Sequence, residues 1–221
     1  MQEHGRSPPN PPRLLPPLRP GTFSYSYSYS YSYSSPISIS SSFPISSSFP
    51  TSSPTSASMN AIQDLYPDDF AHCYGCGRLN PHGLHVRTFW DSGEGVARLD
   101  PGPYHLALPG FVYGGLIASL IDCHGIGTAA AAAMAAAGLR PGEDESPRFV
   151  TAHLEVDYLR PTPAGVELVA RARATEVGAR KVVVEVGVAA DGVECARGRV
   201  VAVRMPESMG PAAAGHARGT P

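Results

Sequence analysis

Cysteine is scarce in this chain, with four in 221 residues, and tryptophan occurs once. Cys73, Cys76, Cys123 and Cys195 are too few and too irregularly spaced for a disulfide scaffold. With no secretory apolar segment at the start, they read as reduced thiols of a cytoplasmic protein. Charge is thin as well. The 17 Lys and Arg nearly balance 19 Asp and Glu, leaving a formal net charge of −2. No basic stripe is present, which excludes nucleic acid as a partner. Acids are almost missing from the first 58 residues, where Glu3 stands alone.

That leading segment is Pro, Ser and Tyr, with a Ser-Tyr alternation from Ser24 to Ser34. It has few branched apolar side chains to bury, so it cannot offset the entropy of ordering and is expected to be disordered. The low acid content fits a transit peptide, but arginines are few (Arg6, Arg13, Arg19) and the prolines forbid an amphipathic helix. The segment reads as a leader without chemistry, and Met59 as a candidate natural start. Residues 59–205 form the expected domain, and 206–221 a frayed tail.

The one long apolar run, residues 110–138, is where the domain is organised. Pro109-Gly110 signals a turn, Gly114-Gly115 opens a helix, an alanine run continues it, and Gly138 with Pro141 just beyond marks its end. About 20 apolar residues suffice to cross a membrane. Asp122, His124 and four glycines (Gly114, Gly115, Gly125, Gly127) argue for a soluble core helix instead. Apolar residues fill almost every side, predicting burial nearly all round. Asp122 is the one carboxylate in it, and a buried acid is costly unless partnered or neutralised. Chains tolerate that mainly where the acid has work to do.

Before the helix, residues 72–85 hold Cys73 and Cys76 at zinc-knuckle spacing, with His72, His82 and His85 nearby. A lone Cys-x-x-Cys is a weak metal signal. The simpler reading, a Gly/Pro-rich loop whose small cysteines pack against a strand, is taken, and no metal is expected. Strands follow at 84–90 and 95–100 around a polar turn, and a loop at 101–109 carries His105. Past the helix, 149–158 alternates cleanly. Val150, Ala152, Leu154, Val156 and Tyr158 share one face, and Thr151, His153, Glu155 and Asp157 the other. Strands at 166–177, 180–190 and 193–204 complete the set, the last pair joined tightly through Asp191-Gly192. Two strands, one long helix and four more strands predict an α+β domain: a curved antiparallel sheet of five to six strands wrapped around the helix.

Cys73-Tyr74-Gly75-Cys76-Gly77, Asn80-Pro81-His82-Gly83-Leu84, the Gly110–Asp122 stretch, Thr151-Ala152, Tyr158-Leu159-Arg160-Pro161 and Gly178-Ala179-Arg180-Lys181 occur in that order. Together they resemble the hotdog-fold thioesterases, in particular PaaI-type acyl-CoA thioesterases. The resemblance implies a catalytic acid nine residues after a helix-opening His; that position is Asp122, with Tyr113 where relatives carry the His. It implies that the Gly114 amide polarises the thioester carbonyl, with Gly115 allowing close approach, and that Thr151 helps place the attacking water. Ala107 stands where several members carry an Asn. Arg160, Arg180 and Lys181 are the expected contacts to coenzyme A phosphates. The only cofactor-like group is then the coenzyme A of the substrate.

Asp122 lies about two turns along the helix from Gly114 and cannot reach a carbonyl held at its own helix start. A two-fold assembly, as in the relatives, resolves the distance, so a homodimer or dimer of dimers is expected. Asp122 would act as general base or as nucleophile. Adjacent helical residues point about 100° apart, so Cys123 and His124 do not form a nucleophilic pair. Two rival functions share the fold. A dehydratase needs a His that is missing at the helix start, and Tyr113 with Ala107 suits a non-catalytic acyl-CoA-binding or sensor protein.

Overall fold

The computed structural model describes residues 60–210. The leader expected at 1–58 and the end of the tail lie outside the described residues. Two short 3-10 turns, Ile62–Leu65 and Asp68–Phe70, lead into loop 72–85. The strands are β1 (Phe89–Asp91), β2 (Glu94–Leu99), β3 (Leu106–Leu108) and β4 (Phe111–Val112). The helix α1 (Gly114–Ala136) follows, then β5 (Phe149–Tyr158), β6 (Leu168–Val177), β7 (Lys181–Ala190) and β8 (Val193–Arg204). A last 3-10 turn, Glu207–Met209, falls in the segment expected to fray.

Six strands form one antiparallel sheet in the order β1-β2-β6-β7-β8-β5. α1 packs against β2, β5, β6, β7 and β8, so a single sheet covers it from several sides. This is the expected hotdog architecture. α1 is long and apolar enough to cross a membrane, but 72% of its most apolar window is buried in the molecule. Its end obeys the sequence signal. Gly138 takes φ 75°, its amide donates to Ala135 O at 3.1 Å, and Leu139 N donates to Met134 O at 2.9 Å. That is a Schellman close, which needs a left-handed residue just past the helix.

Three local expectations change. The strand predicted at 84–90 joins the sheet only from Phe89. His85 has a left-handed backbone, φ 52°, and the amides of Leu84 and Val86 are spent on Tyr74 O and Gly75 O in the loop rather than on a strand. The loop at 101–109 contributes β3, which pairs with β4 as a ribbon of its own.

The third change is at β5. The register slips between Thr151 and His153, so Ala152 is a bulge. Thr151 pairs with Ala202 and Leu154 with Val200, and both partners are fully buried beneath the helix. Opposed residues of an antiparallel pair point to the same side. Thr151 therefore shares the helix-facing side with Leu154, Val156 and Tyr158, not the outer side that strict alternation gave it.

Candidate active site

α1 is not buried all round. Gly115, Ala118, Ser119, Asp122 and Ile126 are half-buried, while Leu116, Ile117, Leu120, Ile121, Cys123 and His124 are buried. Positions 115, 118, 119, 122 and 126 repeat at helical spacing and make one open stripe. The reason lies in the sheet: β5 is its edge strand, with no strand paired beyond it among the described residues.

Asp122 sits in the middle of that stripe. Thr151 Oγ1 donates to its Oδ1 at 2.5 Å. Burial raises the carboxyl above the ordinary Asp range, the Thr151 hydrogen bond pulls it back, and negative charge on Cys73 pushes it up again. A threonine hydroxyl has one proton to donate, and here it fixes the carboxylate in one orientation. The bulge at Ala152 makes the contact possible, since an unbroken strand would turn Thr151 outward.

At the start of α1, Tyr113 is the N-cap residue, with extended backbone and no side-chain capping bond. Its carbonyl accepts from Leu116 N at 3.0 Å. The amides of Gly114 and Gly115 have no intrahelical acceptor, as at any helix start. Tyr158 donates its hydroxyl to Gly114 O at 2.8 Å, and Ser119 Oγ donates to Gly115 O at 2.9 Å. The exposed Tyr113 ring folds back over Gly115, where any Cβ would collide with it. Sequence reasoning missed Tyr158 and Ser119. Tyr158 is the last residue of the alternating strand, and Ser119 is four residues on from Gly115, so the spacing held a hint of each.

The eight residues from Gly114 to Asp122 rise about 12 Å along the axis. The Gly-Gly amides and the Asp122–Thr151 pair are thus two separate clusters within one chain. The three basic residues divide the same way. Arg160 follows Tyr158 at the Gly114 end, where its Nη1 donates to Glu194 O at 2.6 Å. Lys181 and Arg180 lie at the other end: Thr151, Ala202 and Val182 form one row across β5, β8 and β7. Along β5, Thr151 and Tyr158 are roughly 20 Å apart. Lys181 Nζ also pairs with Glu176 at 3.0 Å. Ala107 lies exposed in β3.

The neighbours of Asp122 on the chain point elsewhere. His124 is fully buried, and its Nδ1 is 3.0 Å from Thr88 Oγ1, which accepts from Gln63 Nε2 at 3.0 Å. Burial pushes the imidazole down to about 4, so it is neutral. Cys123 turns toward the loop, its Sγ 3.8 Å from Cys73 Sγ. Hydrogen bonds from Cys123 and Cys76 hold the Cys73 thiol far below its ordinary range. His72, His82 and His85 are exposed. His105 accepts from Gly102 N at 2.9 Å and folds its own loop.

Residues 109–196 match the family model described as the thioesterase superfamily. A solved thioesterase superfamily protein from Shewanella loihica PV-4 is 48% identical. That match covers 64% of this chain and 100% of the other, with a TM-score of 0.49. The E. coli PaaI protein of the phenylacetic acid degradation operon is 20% identical over 56% of this chain and 81% of that one, with a TM-score of 0.46. Acyl-coenzyme A thioesterase THEM4 of Xenopus laevis is 34% identical over 102 residues, 45% of this chain. The chain spans 40% of the length of that relative.

Proposed function

The chain belongs to the thioesterase superfamily, and from that premise and the Asp122–Thr151 pair we propose that it hydrolyses an acyl-CoA thioester to the free acid and coenzyme A. The observation that carries the reading is a carboxylate on the open stripe of a core helix, oriented by a hydroxyl at 2.5 Å. Asp122 takes a proton from water as that water attacks the thioester carbonyl, and the coenzyme A thiolate leaves. The amides of Gly114 and Gly115 stabilise the oxyanion, where helix-start donors and the helix dipole favour negative charge. One such donor is worth about 2.7–4 kcal/mol in other hydrolases. The chemistry uses no cofactor besides the coenzyme A of the substrate.

With about 12 Å between the two clusters, the site needs two copies of the chain. A two-fold arrangement sets the helix start of one against Asp122 of the other. Leu106, Leu108, Phe111, Tyr113 and Tyr158 are all more than two-fifths exposed around that helix start, an apolar surface that a second copy would cover. The same arrangement brings Arg160 of one copy toward Arg180 and Lys181 of the other, so that the three serve one coenzyme A. The free cysteines fit a reducing, cytoplasmic setting.

Thiol release from short, long and aromatic acyl-CoAs tests the reading. Wild type should turn over at least one class, and Asp122→Asn should not. If both release thiol equally slowly while binding the esters, the protein is an acyl-CoA sensor, the role that Tyr113 in place of the usual His favours. A single turnover in oxygen-18 water tests for the nucleophile: label in the Asp122 carboxylate, left when water attacks the Asp122 carbonyl of a mixed anhydride, would mark direct attack.

A further inference from the structure

Three sulfurs from two distant parts of the chain meet beside Asp122. Cys73 and Cys123 are 50 residues apart in sequence, yet their Sγ atoms are 3.8 Å apart. With Cys76 Sγ, all three lie within 4.8 Å of one another. A disulfide joins two sulfurs at about 2.0 Å and leaves the third without a role. Sulfurs at about 2.3 Å from a tetrahedral Zn²⁺ sit roughly 3.8 Å from one another along the tetrahedral edges. We propose that Cys73, Cys76 and Cys123 bind one Zn²⁺ as thiolates, pinning the loop to α1 one residue from Asp122.

The loop is shaped for such a cation. Leu84 N donates to Tyr74 O at 2.8 Å and Val86 N to Gly75 O at 2.9 Å, so the segment between Cys73 and Cys76 is tied down at both intervening residues. Gly77 N donates to Cys73 O at 2.8 Å and closes the turn. A Cβ on residue 77 would fall 2.5 Å from Cys73 N and O and 2.6 Å from Ala71 O, so the turn closes this tightly only with glycine. A Cβ on residue 75 would occupy the place of Cys123 Sγ. Glycine at 75 is what admits the third sulfur.

The charge is balanced too. Three thiolates around Zn²⁺ carry one net negative charge. Arg148 lies near enough for its charge to act on Cys76. It stacks on Tyr66 at 3.6 Å from the ring centroid, and its buried Nε and Nη1 have no hydrogen-bond partner among the described residues. On binding, each sulfur that is still protonated gives its proton to solvent as its Zn–S bond forms, and no electron moves. His72, His82 and His85, the ligands that loop spacing alone brings to mind, stand outside the cluster. The fourth position, on the exposed side of Cys73, goes to water.

The proposal does not depend on the hydrolase reading. The full chain, purified in reductant after growth with zinc, should hold one zinc per chain by mass-spectrometric metal analysis. Cobalt exchange should give an intense thiolate-to-cobalt charge-transfer band together with the visible bands of tetrahedral Co²⁺. Cys73→Ser and Cys123→Ser should each weaken zinc binding by about a hundredfold or more in chelator competition. Cys195→Ser and Asp122→Asn should keep the metal. If Cys123→Ser fails to fold, Cys73→Ser, at an exposed site, carries the test. Fully reduced wild-type protein with no stoichiometric zinc and no charge-transfer band would overturn the proposal. So would a Cys73–Cys123 disulfide in metal-free protein from a reducing cytosol, or equal zinc affinity in wild type and Cys73→Ser.

Discussion

The two halves of α1 are made of similar small and apolar residues but do different work. From Gly114 to Ile126 the helix keeps an open stripe, and along it lie the helix-start amides, Ser119 and Asp122. From Gly127 to Ala132 it is buried without a break. There Ala129, Ala130 and Ala131 have no exposed surface, and the alanine run serves close packing. The first half lies along β5, the sheet's edge, and β5 is bulged. The difference teaches that one helix can be scaffold and site together when the sheet around it ends beside only part of its length.

Substitutions in the two halves should therefore separate function from stability. Asp122→Asn should have the largest effect, lowering turnover of the preferred acyl-CoA by about 10²–10⁴-fold. Its Tm should hold or rise slightly, because a half-buried carboxyl gives way to a neutral amide. Equal turnover in the two proteins would remove the first half's claim to be a site. Thr151→Val keeps the shape and removes the donor to Asp122, and should cost roughly ten- to hundredfold in kcat, in line with a hydrogen bond to a charged group. The second half should respond in the opposite sense. Ala130→Leu forces extra volume against the sheet and should lose about 1–3 kcal/mol of stability, read by denaturant unfolding. The fraction that remains folded should keep its turnover. Gly138→Ala, just past the helix, puts a Cβ on a left-handed backbone and should cost about 1–2 kcal/mol with no change in kinetics. If Gly138→Ala changed kcat instead, the two halves would be coupled more tightly than their packing shows.

Much of the fold was legible because its signals are local. The helix bounds followed from Gly114-Gly115 and Gly138, and the β7–β8 hairpin from Asp191-Gly192. Asp122 stood out as the one acid in an apolar run. The strand at 84–90 was misjudged for a local reason as well, since His85 takes a conformation that its neighbours' pattern conceals. Thr151 was placed by family resemblance, while its alternation pattern pointed the wrong way. A bulge shows in sequence only as one residue too many, and nothing about Ala152 marks it.

By itself the sequence determined the core helix, the long strands around it, their order, and the single carboxylate in that helix, because each rests on local spacing, whereas the β3–β4 ribbon and the start of β1 did not show in it. Only the tertiary structure decided that Thr151 faces Asp122, that Cys123 joins Cys73 and Cys76, and that Arg160 lies at the opposite end from Arg180 and Lys181. Each of these depends on where remote segments return to the sheet and in what register. One extra residue in a strand reverses every side chain beyond it.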